Sequence, residues 1–215
     1  MTSDPISISA VLPALASAGP RVAFDDEAAT RALIRAQRME TFKGFCPVEF
    51  LKAIDETKIR NMAAWERADD WNGRFPGVWL WSADTGEAKT RMLWRQFGRM
   101  HVDQGRMVCR VTGLNLAEAY GEAYFENKTT AFYHRFAKFD AWLLDDLDKM
   151  KLPDGHHYDS TADRNGRMLR EVFDKFYESH KPVLVTANEP IAWFQARLGE
   201  STARRMREVC TEIEF

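Results

Sequence analysis

The sequence predicts an α/β fold, a parallel sheet flanked by helices with a small helical segment before it. Two observations carry this. From Gly77 onward, short apolar runs alternate with stretches of helical periodicity. Three of those runs also end in polar groups: Val78–Trp81 leads into Ser82, Ala141–Leu144 into Asp145-Asp146, and Pro182–Thr186 into Ala187-Asn188. Open parallel sheets bind ligands at the carboxyl ends of their strands.

Composition narrows the function classes. Hydrophobic residues are 45% and charged residues 29% of the 215, enough for one full core plus an appended segment. A net charge of −2 excludes a chain that coats nucleic acid by overall charge, but not a local basic groove. Cys46, Cys109 and Cys210 lie far apart, with no CxxC or Cys/His cluster. A zinc site or disulfide framework is therefore not expected, and free thiols fit a reducing cytoplasm. No apolar run approaches the roughly 18 residues of a membrane span, and no basic segment opens a signal peptide.

Taken in order, residues 1–20 are rich in Ser, Ala and Pro and read as a loosely ordered arm. Asp25 or Asp26 is placed to cap a helix running to about residue 42. Ala29, Leu33, Ile34 and Ala36 form a partial apolar stripe on it, with Arg31, Arg35 and Arg38 on another side. Gly44 to Pro47 breaks it. A second helical stretch is expected over 48–71, burying Phe50, Leu51, Ile54, Ile59, Met62 and Trp65. Asn72-Gly73 and Pro76 are turn signals. They divide the chain into an N-terminal helical segment, 1–72, and a ligand-binding domain, 73–215. In that domain strands are expected over 78–81, 107–111, 141–144 and 182–186, with an edge strand at 212–215. Helices are expected over 90–103, 115–125, 130–139, 165–180, 191–198 and 201–209.

The first site is Ala83-Asp84-Thr85-Gly86-Glu87-Ala88-Lys89-Thr90, followed by Arg91. It keeps the spacing and the Lys89-Thr90 end of the phosphate-binding pattern G-x-x-x-x-G-K-[ST], with Ala83 and Ala88 in place of its two glycines and Gly86 between them. Backbone N–H groups at such a turn converge on phosphate, helped by the helix dipole. Lys89 then faces the β- and γ-phosphates, and the Thr90 hydroxyl is a Mg²⁺ ligand. The second site, Asp145-Asp146, follows an apolar strand about 55 residues later, the Walker B form. Asp145 is placed to hold Mg²⁺ through water beside Thr90. Asp146 is placed to orient or activate the attacking water. The third is Asn188, placed to reach the γ-phosphate or that water.

These three signals, in this order and spacing, resemble an AAA+ P-loop NTPase. Within that superfamily the chain resembles the DnaC/IstB-like helicase loaders and transposition helpers. The likeness spans about 45–215. It rests on Leu143-Leu144-Asp145-Asp146-Leu147, on Pro182 to Asn188, and on Gly199-Glu200 followed by Arg204-Arg205-Met206. It implies an ATPase with ATP and Mg²⁺ as cofactors, with homo-oligomers forming when ATP is bound. A replicative helicase or transposase is the implied protein partner, engaged by the N-terminal segment. It implies Arg205 as an arginine finger acting in trans, with Arg204 and Arg207 as fallbacks; no C-terminal lid domain is expected, since the sequence stops at Phe215.

The sequence departs from the group at Ala83 and Ala88, whose methyls crowd a loop that usually carries glycine, and at Glu87, which sets a negative charge beside phosphate. An alternative is therefore a non-catalytic AAA+-like scaffold or regulator with a weakened nucleotide site. The 120–138 stretch interleaves aromatic and basic residues. Lys128, Arg135 and Lys138 are candidates for binding single-stranded DNA, while Phe132, Phe136 and Phe139 at helical spacing also read as a core stripe. His156-His157 has no nearby third ligand and reads as solvated.

Overall fold

The computed structural model describes residues 27–53, 59–84, 88–154 and 159–215. Five strands form one sheet: β1 (Gly77–Trp81), β2 (Val108–Thr112), β3 (Ala141–Asp145), β4 (Val183–Ala187) and β5 (Cys210–Glu214). Every pairing is parallel, and the spatial order is β2-β3-β4-β1-β5. The three central strands are almost entirely buried, which explains their unbroken apolar runs. At the edges, β5 buries Cys210 and Ile213 and exposes the residues between, and β2 carries an arginine, Arg110, in its middle.

Helices cover both faces. On one, α5 (Gly113–Phe125), α6 (Thr129–Lys138), α7 (Ser160–Ser179), α8 (Ile191–Leu198) and α9 (Glu200–Val209) pack on Trp79, Trp142, Leu144, Val183 and Val185. On the other, α4 (Ala88–Gly98) and α3 (Met62–Asp69) pack on Val78, Leu80, Leu143 and Leu184, with Phe42 from α1 (Glu27–Phe45). The alternation along each strand is the period-two rule of a sheet buried on both sides.

The expected helix over 48–71 is two short ones, α2 (Val48–Leu51) and α3. Leu51 and Met62 are exposed, whereas Ile59 and Trp65 are buried as expected; Ile54 lies outside the described residues. Asn61 caps α3 by accepting from the Ala64 N–H at 3.1 Å, which is why that helix starts there. The described residues from Arg35 onward pack as one compact unit, and residues 27–34 fall outside it. The turn signals at 70–76 do not separate two cores, because Trp65 and Ala68 share a cluster with Val78 and Leu80. In α1 only Phe42 is buried, and Leu33 and Ile34 are exposed.

The helix expected over 90–103 ends α-helical at Gly98 and continues as a π turn, Arg99–Asp103. Both Met100 and Val102 are buried in this wider turn. Phe132 and Phe136 of α6 are buried, and Phe136 stacks on Trp142 at 4.2 Å. That stripe is core.

Candidate nucleotide site

The strand order explains how the site assembles. β4 lies between β1 and β3, so its polar tip falls between the loop after β1 and the acids of β3. Lys89, in the first turn of α4, is 5% exposed. Its ammonium donates to the Ser82 carbonyl at 3.0 Å, the Asp84 carbonyl at 3.2 Å and Asn188 Oδ1 at 3.1 Å. Burial lowers its pKa, opposed by the charges of Asp148, Asp146 and Asp84. Thr85, Gly86 and Glu87 lie outside the described residues, as do His156 and His157.

Asp145 is buried at the end of β3. Its Oδ1 accepts from the Thr186 hydroxyl at 2.6 Å and from the Thr90 hydroxyl at 3.4 Å. Its Oδ2 is ion-paired with Arg110. The Thr186 hydroxyl in turn accepts from the Asp146 N–H at 2.9 Å. Asn188 is held from behind by Asp148, whose carboxylate accepts from the Asn188 backbone N–H at 2.9 Å and its side-chain amide at 3.4 Å. Lys89, Thr90, Asp145 and Asn188 are thus joined in one neighbourhood.

Octahedral Mg²⁺ with ligands near 2.05 Å holds adjacent oxygens about 2.9 Å apart. The Thr90 hydroxyl and Asp145 Oδ1, 3.4 Å apart, are hard oxygen donors close enough for Thr90 to bind Mg²⁺ and Asp145 to accept from one of its waters. Among the described residues no group of three or more His, Cys, Asp or Glu converges, so nucleotide phosphates and water would complete the shell.

Asp146 has a left-handed backbone, φ 51°, at the turn out of β3. A Cβ on Gly113 would lie 2.7 Å from the Asp146 carbonyl, so only glycine lets β2 end against this turn. Burial raises the Asp146 pKa, and the negative charges of Asp145 and Asp148 add to the shift. Because the folded carboxyl holds its proton more tightly than the unfolded one, its stability contribution is greatest below pH 3.8 and falls as pH rises through the raised value. Asp146→Asn keeps a residue that accepts φ > 0 and removes the charge. The variant's Tm, followed by calorimetry across pH, should rise at pH 7 by about 2 °C, a modest gain for a partly solvated group, and match the parent near pH 4.

The other expected site residues lie elsewhere. Ala83 and Asp84 form the bend after β1, and Asp84 pairs with Arg60 at 2.6 Å. Ala88 opens α4. Arg91 turns to α2, donating to the Glu49 carbonyl at 2.9 Å. Arg205 on α9 pairs with Asp174 at 2.8 Å and with Glu208, and its guanidinium sits 3.8 Å over the Tyr177 ring. These partners lie on α7 and α9, not among the strand-tip residues of the site. Lys128 pairs with Glu126 at 2.8 Å, while Arg135 and Lys138 stand exposed in the last turn of α6.

Thr186, Arg110 and Asp148 were missed as site residues. Thr186 and Asp148 had a legible signal, polar residues within three positions of a strand tip. Arg110 had one as well, a lone charge inside an apolar β-run.

No family model and no curated protein matches this chain. Solved structures do. The DnaC helicase loader is 17% identical over 72% of this chain and 86% of its own, with a TM-score of 0.55. A putative primosome component from Streptococcus pyogenes serotype M3 is 15% identical over 80% and 90%, with a TM-score of 0.56. The replication initiator DnaA bound to AMPPCP and single-stranded DNA is 16% identical over 72% of this chain, with a TM-score of 0.55, and only 45% of that initiator is covered. This chain therefore spans about half the length of the initiators it matches. At these identities the likeness is one of fold alone: the parallel sheet flanked by helices is shared with the DnaC, DnaI and DnaA structures.

Proposed function

We propose that the chain binds ATP at the carboxyl edge of its sheet and hydrolyses it slowly as a DNA-associated AAA+ protein, a helicase loader or transposition helper. One observation carries this: Lys89 and Thr90 after β1, Asp145 on β3 and Asn188 after β4 meet within hydrogen-bonding reach. The likeness of fold to a loader and to a nucleotide- and DNA-bound initiator supports the same direction.

Lys89 would exchange its loop carbonyls for the β- and γ-phosphates. Thr90 and Asp145 would hold Mg²⁺, which supplies charge neutralisation on the phosphates. Asp146, with its raised pKa, would accept a proton from the attacking water. Asn188, fixed by Asp148, would hold that water or the γ-phosphate. Arg205 would act in trans on a neighbouring subunit after leaving Asp174 and Glu208. The N-terminal segment 1–72 would engage the helicase or transposase, and α6 would track single-stranded DNA. A cytoplasmic setting fits these partners; no described helix is long and apolar enough to cross a membrane.

Calorimetric titration of ATP with and without Mg²⁺ tests the nucleotide site. No binding at millimolar ATP rejects it, and turnover that survives Asp145→Ala rejects the metal ligand. For DNA, the triple change of Lys128, Arg135 and Lys138 to Ala should lower the salt slope of single-strand binding by about 2, roughly 0.7 per lost phosphate contact. An unchanged slope in a gel shift at several salt concentrations removes α6 from the interface.

A further inference from the structure

Arg110 is the charged residue that the nucleotide chemistry leaves unexplained. It sits in β2 opposite Leu143 in the parallel register, on the sheet face that α4 covers. Its guanidinium is ion-paired with Asp145 Oδ2 and lies 4.7 Å over the Trp94 ring of α4. Its Nε is buried and makes no hydrogen bond. The Asp145 side chain is only 4% exposed, and its other oxygen already accepts from Thr186 and Thr90. A carboxylate this far from water needs a compensating cation, and here the protein supplies it. That is the service a divalent ion would perform at the same group.

We propose that Arg110 is a built-in counter-cation of Asp145 that sets the divalent-cation dependence of the site. It balances Asp145 when no metal is present, so the site stands preformed. It also opposes a second cation at the same carboxylate, so Mg²⁺ held beside Thr90 and Asp145 adds little to nucleotide affinity. This role presupposes the nucleotide site proposed above.

Linkage makes it measurable without turnover, because metal and nucleotide must change each other's affinity by the same factor. ADP affinity is measured by calorimetry in EDTA and in excess Mg²⁺. In the unaltered protein the two should agree to within about threefold, because Arg110 repels the metal that Asp145 attracts. In Arg110→Gln, which keeps donors to Asp145 without the charge, Mg²⁺ should tighten ADP at least about tenfold. Arg110→Lys keeps the charge and should stay near the unaltered ratio. The inference is overturned if Mg²⁺ tightens ADP more than about threefold in the unaltered protein, or if Arg110→Gln binds ADP with an unchanged ratio. The first result needs no variant, so a misfolded Arg110→Gln leaves the inference open to refutation. If ADP binds under neither condition, the nucleotide site itself fails and this role falls with it. ADP binding with the wrong ratio rejects the counter-cation alone.

Discussion

Lys89→Met is expected to lower ATP affinity by at least about 100-fold while leaving the fold intact, from the loss of two charge-assisted hydrogen bonds at about 1.5–3 kcal/mol each. Without nucleotide the same ammonium satisfies three acceptors from inside the protein. Its burial is costly, as the lowered pKa shows. That cost applies while the lysine is charged, below its depressed folded pKa. It fades as pH rises past that value toward the ordinary 10.5. Methionine fills similar space with no charge to desolvate. Thermal unfolding should therefore show a Tm equal to or above the parent at pH 7, with any gain shrinking toward alkaline pH. A variant that loses both ATP binding and its Tm would mean that Lys89 is a structural strut and not a phosphate ligand. The joint readout of binding and stability separates the two roles.

Gly77→Ala is expected to be the most damaging single change in the sheet. Gly77 begins β1, pairs with Cys210 of β5, and lies close against β4. A Cβ there would sit 1.9 Å from the Val183 carbonyl oxygen and 2.8 Å from its nitrogen, both backbone atoms. No rotamer change relieves that contact, so β1 must separate from β4 at its first residue. Clashes of this kind belong to the class costing about 4 kcal/mol or more. For a chain of this size that is about 10 °C in Tm, or failure to accumulate in soluble form. Gly44→Ala is the matched control, because nothing lies within 4 Å of its added methyl. A soluble Gly77→Ala protein with parental Tm would show that β1 does not run this close to β4.

The strand tips were legible because parallel strands between helices bury both faces, leaving polar residues only where the strands end. Val78–Trp81, Ala141–Leu144 and Pro182–Thr186 therefore announced the sheet and the polar residues at its strand tips. The 48–71 stretch was less legible. Its apolar residues suit one long helix, yet only some find a partner surface, and Leu51 and Met62 stay exposed. Local periodicity reports what a segment is able to bury, and the neighbours decide what it does bury.

By itself, the sequence determined the layered α/β class, the order of the elements, and the placing of Lys89, Thr90, Asp145 and Asn188 at strand ends. Each follows from short-range pattern, a period of two or 3.6 and a change to polar residues at its end. Only the tertiary structure decided that β4 lies between β1 and β3, that Thr186 joins the Asp145 carboxylate to the Asp146 backbone, that Asp148 holds Asn188, and that Arg110 neutralises Asp145. It also decided that Arg205 spends its charge on Asp174 and Glu208. These are contacts between residues distant in the chain. Which strand lies beside which, and so which side chains share a desolvated pocket, depends on how the whole chain buries its apolar surface.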